Sequence, residues 1–408
     1  MSNIQKNVPE LRFPGFEDEW KNFAFKDQII SIEKGTNLLG AEDNTGIPLI
    51  KMGNIKRGYF SFNKLEKLNE AETIQEKYFI NKGDFLFNTR NTMELVGKSA
   101  TWTDESGKFV FNSNIARIVL KGIDTYFFNY LYNTSKMINK VKSLAVGTTS
   151  VAAIYPRDLN HLNYFLPSIS EQEKIGSFFS KLDRQIELEE EKLELLEQQK
   201  KGYMQKIFSQ ELRFKDDNGN DYPNWENENL GNLINEVNVR TTSNNQYVLL
   251  SSTKNGLLSQ EEYFKKQIGS KDSTGYKILR LNQLVLSPQN LWLGNININQ
   301  RFDIGIVSPS YRIYNLSHQF DINFAKDLLK SPRYIYEYAQ ASEQGASVVR
   351  RNLNLELFYS IKVSLPSIEE QRKIGAFLNK LDKLMRKQYN KIEVLKQRKQ
   401  GLLQKMFV

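Results

Sequence analysis

Along two stretches of the chain the apolar positions fall into a helical rhythm. Ile175, Phe179, Leu182, Ile186, Leu193, Leu196, Tyr203 and Ile207 are spaced by alternating steps of four and three, with Glu189 and Lys200 as polar members of the same stripe. Ile374, Leu378, Leu381, Met385, Gln388, Ile392, Leu395, Lys399, Leu402 and Met406 repeat those steps. A 4,3 seam sustained over five heptads predicts a coiled coil. About 40 residues at 1.5 Å each predict helices of roughly 60 Å. Elsewhere the period shortens. Runs such as Ile47-Pro48-Leu49-Ile50-Lys51 and Gln246-Tyr247-Val248-Leu249-Leu250-Ser251-Ser252 alternate with Gly, Asn and Asp turns and predict short strands. A late helix is expected within each globular stretch, around 126–141 and 320–340.

The two seams are copies of one another. Residues 166–208 and 365–407 align without a gap at an offset of 199, with 22 of 43 pairs identical, too many for two unrelated amphipathic helices. Each opens with a capping box, Ser168 with Glu171 and Ser367 with Glu370, directly after a proline. The duplication extends backward more weakly. Glu10-Leu11-Arg12-Phe13 before Trp20 recurs as Glu211-Leu212-Arg213-Phe214 before Trp225. Between those markers Phe85 to Asn91 falls opposite Leu284 to Asn290, with Asn282-Gln283 where the first copy has Gly83-Asp84. The run from Ser113 through Arg117 resembles that from Ser308 through Arg312, and Gly147 to Val151 resembles Gly345 to Val349. The expected fold class is α+β: two pseudo-repeated mixed domains, each followed by a long helix, the helices pairing as an antiparallel coiled coil. The boundaries drawn are a first globular domain at 1–167, a central helix at 168–209, a second globular domain at 210–366 and a C-terminal helix at 367–408.

Charge adds direction to the pairing. Residues 170–208 carry 7 basic and 9 acidic side chains, net −2, whereas 369–407 carry 11 basic and 4 acidic, net +7. A stripe can also be a face packed on its own domain, but length and complementary flanks favour helix with helix. The polar midpoints Glu189 and Gln388 would specify register and face each other. The chain's net charge of +9 suits a polyanion, yet only +4 of it lies outside the helices. Bulk charge alone does not establish nucleic-acid binding.

Several chemistries are excluded. There is no cysteine, so disulfides, thiolate catalysis and Cys-ligated zinc are ruled out, and the only histidines, His161 and His318, lie in different segments. Gly97-Lys98-Ser99 imitates the end of a P-loop, but Thr92 stands where the first glycine is required. Glu190-Glu191-Lys192 imitates a nuclease carboxylate–lysine pair but lies within a coiled-coil helix, where it reads as a solvated face. No window approaches the roughly 18 apolar residues of a membrane helix, and no apolar leader opens the chain, so an unexported, cytoplasmic protein is expected.

What remains is a crowd of Asn, Gln, Ser, Thr, Lys and Arg at the ends of apolar runs, the side chains that bond base edges and phosphates. In the first domain the candidates are Lys51, Asn54, Lys56, Asn88, Arg90, Asn91, Lys98, Ser113, Arg117, Gly147, Thr148 and Thr149. In the second they are Lys254, Asn255, Gln289, Asn290, Tyr311, Arg312, Ser347 and Arg350. Gly147-Thr148-Thr149 could present backbone N–H groups to a phosphate or be a plain turn. Arg117 and Arg312 read equally well as buried structural arginines.

Two diverged globular domains, each followed by a helix that opens Leu-Pro-Ser-Ile-x-Glu-Gln and closes Gly-x-x-Gln-Lys-x-Phe, resemble the specificity subunit of Type I restriction-modification enzymes, over essentially the whole chain. The resemblance implies that each globular domain is a target recognition domain reading one half of a split, asymmetric DNA site. The helices would set the spacing between the halves. It further implies two methyltransferase subunits docked along the helices and restriction subunits beyond them, no catalysis by this chain, and S-adenosylmethionine, ATP and Mg used only by those partners. The alternatives are a coiled-coil interaction scaffold and a stand-alone sequence-specific DNA-binding regulator.

Overall fold

The computed structural model describes residues 7–261, 272–344 and 351–408. Contacts divide the chain into two compact units, 1–190 with 390–408 and 191–389. Each unit therefore holds one globular segment, the first half of the helix that follows it and the last half of the other helix. We call the globular segments the first and second heads.

In the first head Lys21–Ala24 pairs antiparallel with Asn163–Leu166, so the segment closes on itself just before the central helix. Its main sheet is antiparallel, in the order Ile29–Lys34, Ile115–Leu120, Phe85–Asn88, Ser99–Thr101. The second head repeats both features, with Glu226–Asn229 against Lys362–Leu365 and a sheet ordered Ile234–Val237, Arg312–Leu316, Leu284–Leu286, Ile296–Ile298. The strands at 85 and 284 read as unbroken apolar runs because both faces are covered. Phe85 and Phe87 meet Phe128 and Tyr132 of a helix while Leu86 joins Trp102 and Phe111 on the other side. Leu284 and Leu286 likewise join Phe324 and Tyr314, leaving Val285 with Ile313. The turn before each strand is also the same. Gly83 has φ of +92° and Asn282 +66°, asparagine being one of the few residues that tolerates this region.

Two expectations change. The single late helix of each head is two: Thr125–Tyr132 and Ser135–Ser143, then Ile322–Leu328 and Pro332–Gln340. Thr134 caps a new start by accepting from the Met137 N–H, and Pro332 has no N–H with which to continue a helix. Arg117 and Arg312 are not equivalent either. Ile118 lies opposite Phe85 and Tyr314 opposite Leu284, so the two strands correspond one residue away from the sequence match and the arginines point to opposite faces.

The long helices run Ile169–Phe208 and Ile368–Met406. In the first unit Asp183 meets Lys399, Glu189 meets Lys391 and Glu190 meets Lys396; in the second Lys200 bonds Asp382 at 2.6 Å and Tyr203 stacks edge-on to Phe377. Within each unit rising numbers on one helix meet falling numbers on the other, so the pairing is antiparallel; in the first unit acid on the central helix meets base on the C-terminal one, and in the second Lys200 and Asp382 reverse that polarity. Ile175, Phe179, Ile186, Ile374, Leu378 and Ile392 are buried in the seam, whereas Tyr203 is 40% exposed.

Each helix N-terminus grips its own head with the same bonds. Arg12 makes two 2.7 Å bonds to the fully buried Glu171, and Arg213 makes bonds of 3.2 and 2.6 Å to the fully buried Glu370. These glutamates were expected to close a capping box. The Ser168 and Ser367 hydroxyls do accept the Glu171 and Glu370 N–H groups, but the carboxylates are held by arginine. Gln172 bonds the Pro167 carbonyl and the Asp124 N–H, and Gln371 bonds those of Pro366 and Asp321. At the far ends, Phe407 packs on Trp20 and Phe127, and Phe208 on Phe324.

Candidate nucleic-acid interface

The first head gathers its candidates into three groups. Arg90 and Asn91 form a short strand that pairs with Ala152–Ala153, which pairs in turn with Val146–Gly147. Gly147, Thr148 and Thr149 are thereby brought to the same small sheet as Arg90, all four exposed. The Gly147 Cα faces the Val151 carbonyl, where a Cβ would sit 2.3 Å away. Arg90 and Ser113 also line an open polar cleft of about 600 Å³ with Lys34, Asn37, Lys77 and Asn114. Lys56 and Lys98 form the third group together with Arg57, which sequence reading missed.

Three candidates of this head are framework instead. Arg117 is buried, ion-paired to Glu33 and to Asp84 at 2.9 Å, and donates to the Lys77 and Phe79 carbonyls. Every direction of its guanidinium is used. Asn54 is buried and closes its own loop by accepting the Lys51 N–H and donating to the Ser61 carbonyl. Asn88 is fully buried and donates to the Met52 carbonyl. Lys51 is paired at 2.7 Å with Glu66.

In the second head Lys254 and Asn255 are exposed at the tip of the hairpin Leu250–Thr253/Gly256–Ser259. Beneath the tip is a buried polar network. Asn295 and Asn297 bond Ser252, Asn297 also donates to the Thr253 carbonyl, and Lys330 donates to Asn297 at 2.6 Å. Burial holds the Lys330 ammonium below its ordinary pKa. Tyr311 belongs to this framework, its hydroxyl donating to the Ser252 carbonyl and its own carbonyl accepting from Lys277. Arg312 is ion-paired with Glu236 at 2.6 Å. Gln289 is exposed and Asn290 half-buried on a 3-10 helix, Pro288–Leu293, where the first head has a strand, Pro288 lacking the N–H a strand would use. Ser347 and Arg350 lie outside the described residues.

Among the described residues no group of three His, Asp or Glu side chains could hold a metal ion, and no helix is long and apolar enough to cross a membrane.

Comparison with known proteins agrees with this duplicated architecture. A chain of Methanocaldococcus jannaschii described as a putative type I restriction enzyme MjaX specificity subunit is 24% identical, over 98% of this chain and 96% of that one. The crystal structure of a type I restriction-modification S subunit from M. genitalium superposes with a TM-score of 0.59 at 16% identity, covering 98% and 99% of the two chains. A structure from work on complex assembly and conformational transition of the type I R-M system superposes at 0.53 and 15%, covering 97% and 99%. The family model for the type I restriction modification DNA specificity domain matches twice, at residues 17–198 and 205–394, and the chain accordingly belongs to that family, with two copies of its domain in tandem.

Proposed function

We propose that this chain reads DNA sequence for a Type I restriction-modification complex, each head recognising one half of a bipartite, asymmetric site. The observation that carries the reading is the contrast within the repeat: the family domain occurs twice, its helix ends keep the same bonds, and the polar loops of the two heads differ residue by residue. Two different surfaces on one scaffold suit two different half-sites. Specificity subunits are non-catalytic by family, so methyl transfer from S-adenosylmethionine and ATP- and Mg-dependent cleavage fall to methyltransferase and restriction subunits. The paired helices would dock the methyltransferase subunits and set the gap between half-sites. A helix of 40 residues is about 60 Å long, more than the roughly 34 Å between half-sites one DNA turn apart.

Co-expression with its methyltransferase subunits, followed by sequencing of methylated adenines, tests this reading. A single split motif with two unlike halves is expected. Absence of any motif from an active, assembled complex would favour a scaffold, and tight binding to one split site by the chain alone would favour a stand-alone regulator.

A further inference from the structure

At the edge of the first head the chain turns tightly through Lys56-Arg57-Gly58-Tyr59. The Lys56 N–H donates to the Tyr59 carbonyl, Ile55 and Phe60 bridge behind the turn, and Gly58 sits at φ of +86°. Two bonds fasten this tip: the Gly58 N–H donates to the Ser99 carbonyl at 2.9 Å, and the Asn129 amide donates to the Gly58 carbonyl at 2.9 Å. The first of these sets the tip beside Lys98.

Three cations are thus collected from two segments, and their environment differs from that of the cations that belong to the framework and from that of Lys51. Arg12, Lys51, Arg117, Arg213 and Arg312 each have a carboxylate partner. Among the described residues Lys56, Arg57 and Lys98 have none. Lys56 donates to the Gly53 carbonyl and Arg57 to the Glu94 carbonyl, both neutral acceptors. Burial, together with the charges of Lys56 and Arg57, holds Lys98 below its ordinary pKa, and the nearby Glu94 does not offset them. Burial likewise lowers Arg57. A fixed cluster of like charges without a counter-ion is preorganised for an anion.

The second head carries the same device in altered form. Lys254-Asn255-Gly256 occupies its hairpin tip at an offset of 198, with Gly256 at φ of +139°. Here the fastening differs: the Gly256 carbonyl, at the position of Gly58, accepts from the Thr253 hydroxyl at 3.0 Å, and Lys330 donates to the Lys254 carbonyl at 3.3 Å. Arg57 is replaced by the neutral Asn255.

Resting on the DNA-reading function above, we propose that Lys56, Arg57 and Lys98 bind neighbouring backbone phosphates of the DNA, and that the Lys254 tip is a weaker counterpart. The first head then supplies more of the salt-dependent affinity than the second, while neither tip reads bases.

The test uses the full chain assembled with its methyltransferase subunits and a duplex containing the motif that the complex methylates. Affinity is measured across a salt series for the unaltered complex, for Arg57→Gln, for Lys98→Gln and for Lys82→Gln, an exposed lysine in a turn of the same head. Loss of one phosphate contact makes the log–log salt slope shallower by about 1. That change is expected for Arg57→Gln and Lys98→Gln, with about a tenfold loss of affinity at low salt, an unchanged methylated motif, and no change for Lys82→Gln. Lys98→Arg should keep the original slope. An unchanged slope in complexes whose thermal transition matches the unaltered one overturns the proposal, as does an altered motif, which would make the cluster a reader of bases. If the unaltered complex itself shows no sequence preference, the reading beneath the proposal fails, and that result is distinct from either.

Discussion

The N-terminal ends of the two long helices and the edges of the two heads have diverged to different degrees. At the helix ends the two copies share their principal bonds: arginine to buried glutamate, glutamine to proline carbonyl and aspartate N–H, glycine against the start of a head helix, the second copy adding a bond from the Trp225 indole to Glu370. At the head edges a Lys-Arg-Gly tip becomes Lys-Asn-Gly, and a strand becomes a 3-10 helix. Where both copies must place a head on a helix in one geometry, few residue sets serve. Where each head meets something different, the residues need not agree.

The largest expected effect is at the clamp. Arg12→Ala strands a fully buried carboxylate, which costs roughly 3–5 kcal/mol. Arg213→Ala should cost nearly as much in the second unit, measured by denaturant unfolding. A loss under about 1 kcal/mol at one site but not the other would break the equivalence. Next come the glycines. A Cβ on Gly176 would lie 2.6 Å from Asp124 Oδ1 and 2.7 Å from the Phe127 nitrogen, and one on Gly375 2.9 Å from both Asp321 Oδ1 and the Phe324 nitrogen. Gly→Ala at either should cost about 1–3 kcal/mol, since the helix cannot shift without losing its bonds.

A smaller effect separates the units. Burial alone would raise the Asp382 carboxyl, but Lys200 and Lys326 outweigh it and hold it below the ordinary aspartate value. A depressed carboxyl contributes stability above its unfolded pKa and loses it as pH falls through the folded one. Melting curves should therefore decline below about pH 4, and Asp382→Asn should flatten that decline while lowering stability at neutral pH. The corresponding Asp183 has a tyrosine neighbour, Tyr130 at 2.8 Å, in place of the second lysine and aspartate. Smallest of all, Lys396→Ala removes a half-exposed ion pair with Glu190 and should cost under about 1 kcal/mol.

Much of this architecture was legible in the sequence because it was written twice. The helices follow from the seam and their acid–base complementarity from the charge counts, whereas the antiparallel sense came with the family resemblance. The clamp did not, although both of its halves were noticed. Arg12 lies 159 residues from Glu171, and local spacing assigned that glutamate to a capping box. Polar residues at strand ends were legible as a class but not by face. Asn54, Asn88 and Arg117 turn inward to satisfy loop backbones and carboxylates, while Arg90, Thr148 and Lys254 turn outward. Arg57 could have been found from the Lys-x-Gly tip that recurs in both heads.

The central claim is that the heads are independent readers on a common frame. Replacing residues 12–165 with the corresponding segment of a relative of known specificity, and sequencing methylated adenines in cells carrying the chimaera with its methyltransferase subunits, tests it most directly. One half of the motif should change to that of the donor while the other half and the gap stay as they were. A change in both halves, or in neither, would contradict the account.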